Sequence, residues 1–157
     1  MTNFLKCLGL GIAILLAGCQ MPPPQSTKSA LELQAIQSKE FETTKKVAFA
    51  ATLSVLQDQG YIIGSASLET GLISGKSPTK SEFKVFFTEM TDVKVTAFVE
   101  EITPNRTKVR LNFVSSASRS GAYGHRDDRE YALEDPQMYQ ETFTKIQQGI
   151  FIRKNAN

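Results

Sequence analysis

Val93-Lys94-Val95-Thr96-Ala97-Phe98-Val99-Glu100, a turn around Pro104-Asn105-Arg106-Thr107, and then Lys108-Val109-Arg110-Leu111-Asn112-Phe113 form the stretch that sets the architecture. Side chains alternate across a β-strand, so a period of two sorts them onto two faces. Val93, Val95, Ala97 and Val99 fall on one face of the first strand, and Val109, Leu111 and Phe113 on one face of the second. Lys94, Glu100, Lys108 and Arg110 fall on the other, with mixed charge. One apolar and one polar face is the pattern of an antiparallel sheet covered on one side only. Something else in the chain must supply the cover.

Two segments have the right period. Thr43 or Thr44 offers an N-cap hydroxyl, and Lys45 to Gln59 follows as a helix with Val47, Ala48, Ala51, Val55 and Leu56 at helical spacing, widened by Phe49 and Leu53. Gly60 suits the left-handed position that ends such a helix. Near the carboxyl end Asp135-Pro136 reads as an N-cap followed by proline at the first helical position. Tyr139, Phe143, Ile146 and Ile150 then form one stripe directed at the sheet. Between these, Tyr61-Ile62-Ile63 and Leu72-Ile73 form a hairpin about Glu69-Thr70-Gly71, and Ser77-Pro78-Thr79-Lys80 breaks the chain again. Phe83 to Met90 fits either period, with strand favoured. Leu33 to Glu42 is a first strand, or a short helix followed by a strand, with Ile36 and Phe41 as core candidates. Ser115 to Arg129 reads as a polar interruption. The expected fold is α+β: a curved antiparallel sheet of about five to six strands with two main helices on one face, a helix-grip-like arrangement.

The amino terminus has a different character. Lys6 precedes an apolar run from Leu8 to Ala17, which ends in Leu16-Ala17-Gly18-Cys19. The run is too short for a permanent membrane span and fits the core of a cleavable signal. Leu-Ala-Gly-Cys looks like the lipobox of a bacterial lipoprotein. Residues 1–18 are therefore expected to be removed and Cys19 to carry lipid; several acyl chains together give a stable anchor. Gln20, in place of an inner-membrane-retaining Asp, points to the outer membrane, with the domain facing the periplasm. Residues 19–30, with Met21-Pro22-Pro23-Pro24, form a tether, and 31–154 a single domain.

Two sequence stretches resemble a group of uncharacterised bacterial lipoproteins. One runs from Gln34 through Phe41-Glu42-Thr43 to Val55-Leu56-Gln57-Asp58-Gln59-Gly60-Tyr61 and Gly71-Leu72-Ile73-Ser74-Gly75-Lys76; the other is Tyr139-Gln140-Glu141-Thr142-Phe143-Thr144-Lys145 with Phe151. Lys39 stands where that group commonly has Arg, and Thr142 where it has Phe. The architecture is similar to the helix-grip repeats of the barrel-assembly-machine lipoprotein C. The resemblance implies export and fold, and it carries no settled activity.

Composition argues against most chemistry. The leader holds one of the 18 basic side chains and none of the 16 acidic ones, so the mature charge is nearly balanced and gives no footprint for nucleic acid. Of two cysteines, Cys7 leaves with the leader and Cys19 is acylated, which leaves no disulfide framework. The single histidine, His125, sits in a glycine-flanked polar stretch. A hydrolase set would take Ser118 or Ser120, His125, and Asp127 or Asp128; a metal site would take His125, Asp127 and Asp128. Neighbouring side chains of this kind rarely converge, and a second imidazole is missing. The sequence therefore favours a non-enzymatic protein without cofactor or metal: an adaptor or accessory subunit of an envelope assembly, secretion or efflux system. Its candidate contact surfaces are the sheet edge and the Arg119–Glu130 segment, where Tyr123, His125, Arg126 and Arg129 are the anchors. The alternative is a carrier of a small apolar ligand between helix and sheet.

Overall fold

The computed structural model describes residues 28–84, 87–121 and 126–155. Cys19 and residues 1–18, the expected leader, lie outside these residues. The element order is α1 (Ala30–Gln37), β1 (Ser38–Phe41), α2 (Lys45–Asp58), β2 (Ile62–Ser67), β3 (Leu72–Lys76), β4 (Lys80–Lys84), β5 (Phe87–Thr103), β6 (Arg106–Gly121), β7 (Arg126–Ala132) and α3 (Pro136–Asn155). All the strands join one open antiparallel sheet, ordered β1-β6-β5-β3-β2, with β4 added to β5 and β7 added to β6.

The α+β fold is as the alternation demands, with additions at both ends. The segment Leu33–Glu42 resolves into a short helix followed by a strand. α1 begins inside the stretch expected as tether, because Ser29 and Glu32 form a reciprocal capping box: the Glu32 backbone N–H donates to Ser29 Oγ and the Ser29 N–H to Glu32 Oε2. Thr44 is the cap of α2, its hydroxyl accepting from the Val47 N–H at 3.5 Å. At the other end Gly60, with φ 87°, closes α2 in a Schellman motif. The Gly60 N–H donates to Gln57 O and the Tyr61 N–H to Leu56 O. Asp135 Oδ1 accepts from the Gln137 N–H, as an N-cap before Pro136 should.

β5 and β6 pair without interruption from Phe87↔Gly121 to Glu101↔Thr107, and this hairpin is the spine of the molecule. Its half near the Pro104-Asn105 turn is covered. Val95, Ala97, Val99, Val109, Leu111 and Phe113 lie at most 1% exposed beneath α2 and α3. The rings close the space: Phe41 stands 6.3 Å from Phe143, Phe113 5.2 Å from Tyr139 and 6.0 Å from Tyr61. The stripe Tyr139, Phe143, Ile146, Ile150 is buried throughout.

The other half corrects the sequence reading. Ser115 to Arg129 is no polar interruption: β6 continues through Gly121, and Arg126–Ala132 returns as β7 beside it. The described residues of Phe83 to Met90 are strand, as favoured, but they are the end of β4 and the start of β5 rather than one element, with Phe83 opposite Thr88. These additions bring the sheet to seven strands among the described residues, against about five to six expected. Where no helix covers a sheet, its strands need no apolar face, so alternation in hydrophobicity gives no signal there. Cross-strand hydrogen bonds and ion pairs hold them instead.

A charged four-stranded extension as candidate functional site

β4, β5, β6 and β7 extend the sheet beyond the helix layer. In β5 the odd-numbered residues face the helices in the covered half, so the same alternation places Phe87, Glu89, Thr91 and Val93 on that side of the extension. Thr88, Met90, Asp92 and Lys94 face the opposite, outer side.

Each face has its own polar network. On the inner side Arg119 Nε contacts Glu89 Oε1 at 2.9 Å, Lys84 reaches the same carboxylate at 3.4 Å, and Arg129 meets Asp127 at 2.8 Å. The Arg119 guanidinium also lies 5.4 Å from the Phe87 ring centre. On the outer side Lys94 donates to Glu130 at 2.6 Å, Ser116 Oγ donates to the same carboxylate at 3.2 Å, and Lys76 stands 3.5 Å from Asp92. Arg126 Nε donates to both oxygens of Asp128, at 3.0 and 2.9 Å. These contacts favour the charged forms. Hydrogen bonds from Arg119 hold Glu89 below the usual carboxylate range. Lys94, then Ser116, does the same for Glu130, and Ser118, then Arg126, for Asp128. Glu130 in turn raises Lys94. A shallow open groove runs along the outer side between Lys76, Met90, Ser118 and Arg126.

Of the four residues proposed from sequence as contact anchors, Tyr123 and His125 lie outside the described residues. Arg126 and Arg129 are described, and they sit on a strand rather than a flexible loop. Both are exposed, and each is already paired with an Asp two positions away. The residues of a hydrolase set divide between faces: Ser118 and Asp128 occupy opposed positions on the outer side, and Asp127 projects from the inner side with Arg129. Among the described residues no group of three His, Cys, Asp or Glu side chains is placed to hold a metal ion. Sequence reasoning missed Glu89, Lys94 and Ser116 as parts of this surface. Arg119 lies 30 positions from Glu89, and Glu130 lies 36 from Lys94 and 14 from Ser116, so strand pairing is what brings them together.

No family model matches the chain, and no curated protein matches it. Among solved structures, a DUF4468 family protein from Bacteroides ovatus is similar at 8% identity and a TM-score of 0.41, over 82% of this chain and 90% of that one.

Proposed function

We propose that this chain is a lipid-anchored, non-catalytic lipoprotein of the bacterial envelope. In this reading the leader is cleaved before Cys19, lipid on Cys19 holds the protein in the outer membrane facing the periplasm, and the domain serves as an adaptor for another envelope protein. Kinship with the lipoprotein group that shares the Val55–Tyr61 motif belongs to the same proposal. The observation that carries the adaptor role is the filled interior. Phe41, Phe113, Tyr139 and Phe143 occupy the space between helices and sheet, each at most 4% exposed, so an apolar ligand gains no support there. The exterior of the domain is then what meets other molecules. Its outer sheet face sets Leu72 beside Phe98, 46% and 40% exposed, without a helix over them. No helix among the described residues is long and apolar enough to cross a membrane, and the proposed anchor needs none.

Two measurements test the reading. Cys19→Ala should abolish incorporation of a palmitate analogue and leave uncleaved precursor; undiminished labelling of the variant refutes the anchor. A photo-crosslinking residue at Phe98 of the full-length chain, activated in cells, should capture one envelope protein that the same residue at Gln148, on the exposed side of α3, does not. Capture of nothing at Phe98, or of the same set at both positions, refutes the adaptor role.

A further inference from the structure

β7 is an edge strand. All seven of its residues are exposed, and among the described residues only β6 pairs with it. Its free side presents backbone N–H and C=O groups to a further strand. Five successive charged side chains decorate it: Arg126, Asp127, Asp128, Arg129, Glu130. Edge charges ordinarily repel an added strand, but this series complements itself. When the strand is laid antiparallel against its own copy with Asp128 on the two-fold axis, Arg126 stands opposite Glu130 of the second copy and Asp127 opposite Arg129 of the second copy. Symmetry repeats both pairs. Only Asp128 meets its own kind, and in each chain its carboxylate is already held by Arg126 at 2.9 Å. Opposed residues share a face, so the axis moves in whole residues, and the neighbouring registers are worse: with Asp127 on the axis only Arg126 and Asp128 attract and Asp127 meets itself, and with Arg129 on the axis Asp128 opposes Glu130 and Arg129 meets itself.

We propose that β7 pairs antiparallel with β7 of a second copy about a two-fold axis at Asp128, joining the two extensions into one continuous sheet. The contact is isologous, as closed dimers require. On the inner side the existing Arg129–Asp127 pair, 2.8 Å long, stays intact. With its counterpart it forms a square of alternating sign. Directly opposed side chains in such a ladder lie about 5 Å apart, within reach for both arginines. This inference is independent of the adaptor reading, whose test lies at Phe98, on the outer face of the helix-covered half and away from β7.

The test uses two differently tagged full-length copies, co-expressed and recovered from membranes in mild detergent. Wild-type copies should co-purify. Asp127→Arg opposes two guanidiniums, and Arg129→Asp opposes two carboxylates, at each of two symmetric contacts. Each variant paired with itself should lose about tenfold in co-purification, the effect of turning two cross-strand attractions into repulsions. An Asp127→Arg copy expressed with an Arg129→Asp copy restores both contacts across the axis and should recover co-purification to within about twofold of wild type. A strand that had merely lost its shape gains nothing from the mixture. The proposal is overturned if wild-type copies do not co-purify, as when some other protein occupies β7, if the single variants associate like wild type, or if the mixed pair stays apart.

Discussion

Removing one oxygen atom from Tyr139 should destabilise the domain measurably, because that hydroxyl completes the sheet. One edge of β6 is paired with β1 as far as Arg110 and with β7 from Val114 onward. Phe113 lies in the gap between them, with its backbone N–H and C=O facing no strand. The Leu133 N–H donates to the Phe113 carbonyl at 2.8 Å. The Tyr139 hydroxyl accepts from the Phe113 N–H at 3.4 Å and donates to the Leu133 carbonyl at 2.9 Å. Tyr139 is 0% exposed. Tyr139→Phe keeps the ring and its packing on Phe113, and strands a buried N–H and a carbonyl. Leaving buried donors and acceptors unmade costs about 1–3 kcal/mol. The carbonyl retains other options through its second lone pair; the N–H has none, so the expectation is about 2 kcal/mol. For a domain of this size that lowers Tm by roughly 6–12 °C. Thermal and urea melts of the variant should agree, with m unchanged. Burial also raises the Tyr139 pKa above its ordinary value of 10.0. The hydroxyl's contribution is therefore full below pH 10 and is lost as pH rises through the folded-state pKa, because the unfolded chain ionises first. In the variant the alkaline loss of stability should shrink, with Tyr61, raised by its own burial, still contributing. A shift in stability below about 0.5 kcal/mol, the range of ordinary surface substitutions, would refute the assigned role of the hydroxyl.

Phe143→Ala removes a ring that is 4% exposed and packed on Phe41, and should cost about 3–5 kcal/mol in a denaturant melt. Gly60 and Gly71 both have positive φ, 87° and 77°, and the two should respond unequally to alanine. Gly60→Ala meets open space and carries only the left-handed strain of about 1–2 kcal/mol. At Gly71 the added methyl would also collide with the Val99 carbonyl, so its Tm should fall clearly further. Glu89, Asp128 and Glu130 are all held below their ordinary pKa values. The stability they confer is present above those ordinary values, 4.5, 3.8 and 4.5, and is lost as pH falls through the folded-state ones. Amide protection, measured relative to the unfolded chain at each pH, should therefore fall in β4 and β7 on acidification before it does in Val95–Val99; simultaneous loss would show that the charged networks do not hold the extension.

Local chemistry was legible wherever a residue's role depends on its near neighbours in sequence. Thr44 and Asp135 as helix caps, Gly60 as the end of α2, and the Tyr139–Ile150 stripe follow from 3.6-residue periodicity and from the few side chains able to satisfy helix ends. The covered half of the β5–β6 hairpin was equally plain, since burial on one face writes a period of two into the sequence. Leu16–Cys19 is a local signal as well, and the lipid-anchor expectation rests on it together with the apolar run before it. What only the tertiary structure decided lies where the period carries no hydrophobic contrast. Ser115–Gly121 and Arg126–Ala132 are strands because a partner waits at each position: Glu89 for Arg119, Lys94 and Ser116 for Glu130, Ser118 for Asp128. Read along the chain, those residues are merely polar. Tyr139 shows the same division within one side chain. Its ring belonged to an apolar stripe visible in the sequence, but its hydroxyl found the Phe113 N–H only because β1 ends and β7 begins on either side of that residue. Hydrophobic burial acts on every residue of a face and leaves a repeating trace, whereas a hydrogen bond or ion pair between distant strands depends on a register that the fold alone supplies.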